Sequence, residues 1–114
     1  MHVHYLEIVT PDVEETCKAL FAQHGVTFEP PVASLGNARI AHLTGGGRIG
    51  VRAPMRESEA PIVRPYLLVD DIQVAIAAAE SAGAMVAMPA TEIPGQGKFV
   101  IYILGGVEHG LWER

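Results

Sequence analysis

The sequence predicts an α+β fold made of two βαβββ modules, because two of its segments recur in the same order. The segment at residues 5–13 is an apolar strand that leads into an aspartate and an amphipathic helix, and it recurs in outline at residues 66–72. The glycine-rich turn at residues 43–50 is echoed at residues 104–110. Both repeats are offset by about 60 residues, and such a period indicates duplicated structural units. We therefore expect two modules related by a pseudo-two-fold axis, with a ligand site in the cleft that they share.

The first module begins with a predicted strand over residues 3–9. Leu6 and Ile8 alternate with Tyr5 and Glu7 along this segment. Side chains alternate between the two faces of a strand, so the apolar pair and the polar pair point in opposite directions. We expect Leu6 and Ile8 to pack on the helix that follows.

A helix follows the first strand. Asp12, with Glu15 three residues later, is a capping-box-like start, and Gly25 ends the helix. Its apolar stripe consists of Val13, Cys17, Leu20, Phe21 and His24. Three extended segments are predicted after it, at residues 26–29, 38–43 and 48–53. Because Cys17 lies on the stripe, we expect a buried core residue rather than a reactive thiol.

The second module repeats this order. Asp70 and Gln73 begin a helix that ends at Gly83. Strands are predicted from residue 64 and at residues 85–88, 99–104 and 109–113. The segment at residues 89–98 contains proline and glycine, and it is either a lid over the cleft or a plain connection.

Length limits the chain to one domain. Its 114 residues can bury roughly 65% of the unfolded surface, so no disulfide is needed. We assign residues 1–114 to a single domain, with module one at 1–53, a polar linker at 54–63 and module two at 64–114.

The net charge and the hydropathy of the chain indicate which partners and which cellular compartment to expect. A net charge of −5 argues against nucleic acid. No apolar run approaches the ~18 residues that span a membrane, and the first residues do not have the pattern of a signal peptide. We therefore expect a cytoplasmic protein whose partner is a small molecule.

Five of the eight basic residues are concentrated near the middle of the chain. They are Arg39, Arg48, Arg52, Arg56 and Arg64. Either they form a solvated edge and linker, or one or two of them point into the cleft and bind an anionic ligand.

The ordered set of segments resembles the vicinal oxygen chelate superfamily, the glyoxalase, bleomycin-resistance and dioxygenase proteins. The resemblance covers essentially the whole chain and is carried by residues 6–12, 66–72, 92–99 and 110–113. It implies a curled mixed sheet that forms a cup, with the helices outside. In metal-dependent members, four strand positions inside the cup hold a divalent metal through His and Glu, and the metal acts as a Lewis acid.

This chain departs from the family's pattern at those four positions. They fall on Tyr5, Gly50, Arg64 and Gly110. These residue types cannot form an ordinary divalent site, so we expect no metal and no other cofactor. A slip of one residue in strand register exchanges the two faces. The alternative is then a divalent-metal site formed by His4, His109 and Glu113.

Without a metal, the residues expected inside the cup form an aromatic-lined pocket with few polar groups. The two glycines would leave floor space for a ligand. The predicted ligand-binding residues are Tyr5, Gly50, Arg52, Arg64, Tyr66, Tyr102, Glu108, Gly110 and Trp112. Glu7 is the candidate general base, or it pairs with an arginine and fixes the packing of the modules.

Four functions stay open from the sequence. The first is a small glyoxalase/bleomycin-resistance-like protein that binds a compact aromatic or anionic metabolite without metal. The second is a metal-dependent lyase, isomerase or dioxygenase of the same superfamily. The third is a non-catalytic regulatory ligand-binding module with βαββαβ order, and the fourth is a structural subunit with a filled cup. The apolar content and the sheet edges also predict a homodimer.

Overall fold

The computed structural model describes residues 1–114 and has the predicted α+β composition, with two α-helices and seven β-strands. The elements are β1 (Val3–Val9), α1 (Val13–His24), β2 (Arg39–His42), β3 (Arg48–Arg52), β4 (Ile62–Leu68), α2 (Ile72–Ser81), β5 (Met85–Ile93), β6 (Gly97–Leu104) and β7 (Val107–Glu113). Neither helix has both the length and the apolar character needed to cross a membrane.

The chain divides into two compact units. The N-terminal unit is Tyr5–Val63, and the C-terminal unit is Arg64–Arg114 together with Met1–His4. The first four residues belong to the C-terminal unit, in which the amide of Leu68 donates a hydrogen bond to the carbonyl of His2 at 2.8 Å.

In the N-terminal unit, β3 pairs in parallel with β1 and antiparallel with β2. Cys17 of α1 lies buried in a core cluster with residues from β2 and β3, and Leu6 and Ile8 pack against that cluster. Tyr5 and Glu7 are buried on the opposite face of β1. The predicted faces of β1 and the core position of Cys17 are thus confirmed, and burial raises the pKa of the Cys17 thiol.

The extended segment predicted at residues 26–29 is not a strand, so this half has the order βαββ. Its backbone is held instead by single hydrogen bonds. The Glu29 amide donates to the Ile40 carbonyl at 2.8 Å, and the Arg39 guanidinium donates to the carbonyls of Phe28 and Glu29. The two prolines that follow residue 29 lack amide donors, which prevents a regular ladder from continuing.

In the C-terminal unit, the strand order is β4-β7-β6-β5, with β4 parallel to β7 and the other pairs antiparallel. Ile72, Val100 and Leu111 form the buried core under α2. The predicted cap at Asp70 is wrong by one residue. Asp71 is the N-cap, because its carboxylate accepts the amides of Gln73 and Val74 at 3.0 and 3.1 Å.

The segment expected to be a lid or a loop at residues 89–98 is mostly sheet. Strand β5 continues to Ile93 and β6 begins at Gly97, so a tight turn joins the two strands. β5 is at the end of the strand order, and its pairing with β6 shifts register twice. Pro89 is accommodated because an edge strand with bulges does not need every amide.

Candidate functional site

In the N-terminal unit, the ring of Tyr5 covers Gly50. Strand alternation places Tyr5 on the face of β1 opposite α1, and a Cβ added to Gly50 would overlap the Tyr5 hydroxyl. The guanidinium of Arg48, the β3 partner of Tyr5, lies 5.3 Å from the centre of the ring. Burial, followed by the charge of Glu7, raises the pKa of Tyr5 well above its usual range. The Tyr5 side chain is therefore a neutral phenol that packs on backbone and on a cation.

Arg52 lies buried between two carboxylates of the same unit. Its Nε donates to Glu7 at 2.7 Å. Its Nη1 and Nη2 donate to the two oxygens of Glu59 at 3.0 and 2.7 Å, and Nη1 also donates to the Ala53 carbonyl at 3.1 Å. The hydrogen bonds to Glu59 and Glu7 raise the pKa of Arg52, although burial opposes them. The arrangement is a charge-assisted network on one guanidinium.

The sequence-based prediction missed Glu59, which it placed in the polar linker. Residues 53–61 are neither helix nor strand, and most of them are exposed. Glu59 is the residue of this segment whose side chain binds Arg52, and its Oε1 also accepts the Met55 amide at 2.8 Å. No local pattern indicates such a contact. The only available signal was that a buried arginine needs nearby carboxylates.

In the C-terminal unit, Arg64 pairs with Glu108. Its Nε and Nη2 both donate to Oε1 of Glu108, at 2.9 and 2.6 Å, and its Nη1 lies 3.4 Å from the Tyr66 hydroxyl. The Arg64 side chain is 8% exposed, whereas that of Glu108 is 40% exposed. This pair therefore joins a buried cation to a partly hydrated anion.

Aromatic rings pack beside this ion pair. The centre of the Trp112 ring lies 5.6 Å from Tyr66, 6.4 Å from Phe99 and 5.5 Å from His4. The Tyr66–Trp112 contact is edge-to-face, which is a favourable geometry. The Trp112 indole nitrogen donates to the Gln96 carbonyl at 3.0 Å. The prediction missed Phe99, although it pairs directly with Trp112 across β6 and β7.

The expectation that the glycines leave open floor space is wrong. Tyrosine side chains already fill the space above both, since a Cβ on Gly110 would overlap the ring of Tyr66. The glycines also differ in register. Gly50 pairs with Glu7, whereas Gly110 pairs with Tyr66, which repeats Tyr5. Gly50 and Gly110 are therefore not equivalent positions of the repeat.

Tyr102 does not share a face with the other predicted residues of the C-terminal unit. It packs against the cluster under α2, and its ring stacks on His109 at 5.2 Å. Val100 of the same strand is buried in that cluster, and alternation places Tyr102 with Val100 rather than with Phe99. Tyr102 is thus a core-edge residue and not part of the aromatic group around Trp112.

The predicted site residues fall into two sets, one in each unit. In the N-terminal unit the set is Tyr5, Glu7, Gly50 and Arg52. In the C-terminal unit the set is Arg64, Tyr66, Glu108, Gly110 and Trp112.

The residues present do not fit a divalent metal. The four positions that the resemblance assigns to metal ligands hold no imidazole or carboxylate, and the Tyr5 and Tyr66 rings occupy the space above the two glycines among them. The alternative ligands also point elsewhere. His109 stacks on Tyr102, and Glu113 accepts the Ile72 amide at the start of α2 at 2.9 Å. No three His, Cys, Asp or Glu side chains come together as a metal-binding group.

Comparison with known proteins gives the fold. The sequence matches no protein-family model and no curated protein. Among solved structures, the hypothetical protein BH1468 from Bacillus halodurans C-125 is 13% identical, with a TM-score of 0.73 over 99% of this chain and 94% of that one. Methylmalonyl-CoA epimerase from Mycobacterium tuberculosis is 17% identical, with a TM-score of 0.73 over 96% of this chain and 85% of that one. A Streptomyces coelicolor methylmalonyl-CoA epimerase in complex with 2-nitronate-propionyl-CoA is 15% identical, with a TM-score of 0.69 over 99% and 96%. At these identities the likeness establishes the fold alone.

Proposed function

We propose that this protein, which has the fold of the vicinal oxygen chelate superfamily, binds a compact anionic or aromatic metabolite without the metal of that superfamily. One observation carries the proposal. Each unit buries an arginine whose guanidinium already binds a carboxylate, Arg52 with Glu7 and Glu59, and Arg64 with Glu108. A guanidinium fork matches carboxylate and phosphate oxygens, so such a group is suited to receive an anionic ligand in exchange for an internal one.

The aromatic part of the proposal is supported by the group around Trp112. Tyr66 and Trp112 lie next to the Arg64 pair, and half-buried Phe99 packs against both rings. Aromatic rings offer large apolar faces at low conformational cost. A ligand with a planar apolar body and an anionic end would match this chemistry.

We assign Glu7 to ion pairing rather than to general-base catalysis. Its Oε2 accepts the Arg52 Nε at 2.7 Å, and both side chains are buried. A general base needs an oxygen directed at the proton that it removes, and this oxygen is directed at the guanidinium. Replacement of Glu7 by Gln tests the assignment in any activity assay. A complete loss of turnover in a folded variant would show that Glu7 is a catalytic residue.

The relatives by structure suggest one ligand class for the screen. Two of the named neighbours are methylmalonyl-CoA epimerases, and one of them is in complex with 2-nitronate-propionyl-CoA. A CoA ester is a large polyanion, so methylmalonyl-CoA belongs in the screen beside small aromatic carboxylates.

Calorimetric titration tests the proposal. We would titrate benzoate, its neutral isostere benzamide, and methylmalonyl-CoA into untagged protein, each with and without EDTA at constant ionic strength. We expect at least one anion to bind, benzamide not to bind, and EDTA to leave the affinity unchanged. Binding that EDTA abolishes, or the absence of anion binding, would contradict the proposal.

A structural role is the second candidate, and the burial of the aromatic side chains favours it. Tyr5, Tyr66 and Trp112 are 3%, 3% and 1% exposed, so they present little surface to a ligand as they stand. A protein of this kind would bind none of the titrated compounds, and the same experiment therefore separates the two candidates.

We also propose that the protein is a homodimer. Light scattering coupled to size exclusion should then give twice the chain mass of 12.2 kDa. A mass equal to that of one chain over the whole concentration range would rule the dimer out.

A further inference from the structure

We infer that the Arg52 guanidinium is a carboxylate-binding site, and that Glu59 is an internal carboxylate which the ligand displaces. The inference rests on the proposed function and names its ligand class. It concerns residues 53–61, the connecting segment that carries Glu59, which we call the Glu59 segment.

The geometry at Arg52 is that of a bound carboxylate ligand. Both oxygens of Glu59 accept from the outer edge of the guanidinium, Oε1 from Nη1 at 3.0 Å and Oε2 from Nη2 at 2.7 Å. Glu7 occupies the inner edge through Nε and fixes the orientation of the fork. The Arg52 side chain is 7% exposed. A second carboxylate with the same two oxygens would make the same bonds in a site that is already formed.

Arg64 provides a contrast that favours Arg52. A single oxygen of Glu108 accepts from both Nε and Nη2 of Arg64. Glu108 is the second residue of β7. Backbone pairing of β7 with β6 holds Glu108 in place, because Ile103 and Glu108 are register partners. Glu59 lies in a segment without helix or strand, so fewer backbone bonds must break when its side chain leaves.

Release of the Glu59 segment exposes little apolar surface. Most of its side chains are already exposed, including Met55 and Arg56. The backbone bonds near Glu59 that would be lost are the Met55 amide to Glu59 Oε1 at 2.8 Å and the Glu59 amide to the Arg56 carbonyl at 3.1 Å. Once released, the Glu59 carboxylate becomes hydrated. The cost of opening is therefore that of a local loop opening rather than of unfolding the unit.

Charge selects the ligand class. Arg52 binds two carboxylates, those of Glu7 and Glu59. Exchange of Glu59 for a monocarboxylate leaves this arrangement unchanged, whereas a phosphate dianion would place additional negative charge near Glu7. A neutral amide lacks the charge needed to replace Glu59. The site should therefore prefer carboxylates over phosphate and over neutral isosteres.

Removal of the internal competitor provides the test. We would titrate benzoate at constant ionic strength into the wild type, Glu59→Ala and the matched control Glu57→Ala, with benzamide and inorganic phosphate as comparison probes. Glu57 lies two residues away and is exposed. We expect Glu59→Ala to bind benzoate at least about tenfold more tightly than the wild type, because no internal carboxylate competes, and Glu57→Ala to bind like the wild type.

Amide hydrogen exchange in the wild type provides a second readout that does not depend on the variants. Saturating benzoate should accelerate exchange of the Met55 amide, which loses its acceptor when Glu59 leaves. Benzamide and phosphate should leave that rate unchanged. If benzoate binds the wild type but neither accelerates Met55 exchange nor binds Glu59→Ala more tightly, the inference is wrong and the proposed function stands. If no carboxylate binds the wild type or Glu59→Ala, both are wrong.

Discussion

The two units bury the same kinds of side chain but neutralise them differently. In the N-terminal unit, Arg52 is held by Glu7 and Glu59, whose side chains are 10% and 17% exposed. In the C-terminal unit, Arg64 is held by Glu108, which is far more exposed. The two arginines are not duplicated positions, because Arg52 ends β3 and Arg64 lies in β4, the strand that repeats β1. The connecting segment after β3, which the second unit does not repeat, supplies Glu59. The chemistry of each site thus depends on what is not duplicated.

The tyrosines show a second difference. Tyr5 pairs in register with Arg48, and its hydroxyl end reaches Gly50 two residues further along β3. Tyr66 pairs in register with Gly110 itself, and its ring lies directly on that residue. The shift explains why a cation covers one ring and other aromatic rings cover the other.

The largest expected effect is a difference in the free energy of unfolding between variants of the two arginines. Arg52→Met should lower the free energy of unfolding by about 4 kcal/mol, because the buried carboxylate of Glu7 loses the Arg52 cation. Arg64→Met should cost only about 1 kcal/mol, because Glu108 can be hydrated. Urea unfolding of both variants measures the difference. Equal losses of unfolding free energy would contradict the proposed difference between the two ion pairs.

The glycine contacts should give the next largest effect. Gly110→Ala should destabilise the protein by about 3 kcal/mol, because the added Cβ overlaps ring atoms of Tyr66 that lie near its own backbone. Gly50→Ala should cost less, since the nearest obstacle is the hydroxyl end of Tyr5. A double-mutant cycle with Tyr66→Leu checks the mechanism. If the cost of Gly110→Ala is the same in that background, the ring is not the obstacle.

Alkaline pH should act on the N-terminal unit through Tyr5. Its pKa is raised in the folded state, so the folded state retains a proton that the unfolded chain loses above the ordinary tyrosine pKa of 10.0. The associated stability is complete below about pH 10 and decreases above it by about 1.4 kcal/mol per pH unit. Urea unfolding between pH 9 and pH 11 (roughly one unit on either side of that pKa) tests this, and Tyr5→Phe should reduce the slope. An unchanged slope in Tyr5→Phe would assign the effect to other groups.

The smallest expected effect compares the helix starts. Asp71 accepts two amides at the start of α2, whereas the Asp12 side chain makes no capping bond at the start of α1. Asp71→Ala should therefore lower the free energy of unfolding by about 1 kcal/mol, and Asp12→Ala should lower it by only about 0.3 kcal/mol. Thermal unfolding measures both, and a larger loss for Asp12→Ala would contradict the assignment of the caps.

The sequence predicted the faces of β1 and the composition of the fold because local periodicity determines them. Leu6 and Ile8 had to face the stripe of α1, and this placed Tyr5 and Glu7 opposite. Tyr102 was misplaced because the prediction did not include Phe99. The contact of Phe99 with Trp112 shows that Tyr102, three residues later in β6, lies on the opposite face.

Other features depend on contacts distant in the chain. The register of β7 against β4 is set by the β6–β7 hairpin, and no local pattern revealed that Gly110 pairs with Tyr66. The segment around Pro89 has the composition of a loop, yet it pairs as an edge strand. Glu59 was missed for a similar reason, because an exposed polar segment does not indicate which of its side chains turns inward.

Our central proposal is that the four positions which the resemblance assigns to metal ligands, Tyr5, Gly50, Arg64 and Gly110, bind no metal in this chain. Plasma mass spectrometry on untagged, folded protein purified without chelator tests it most directly. We predict a transition-metal content far below one equivalent per chain. A stoichiometric metal that EDTA removes only on unfolding would contradict it, because the side chains around Tyr5, Gly50 and Gly110 would then have to rearrange to bind it.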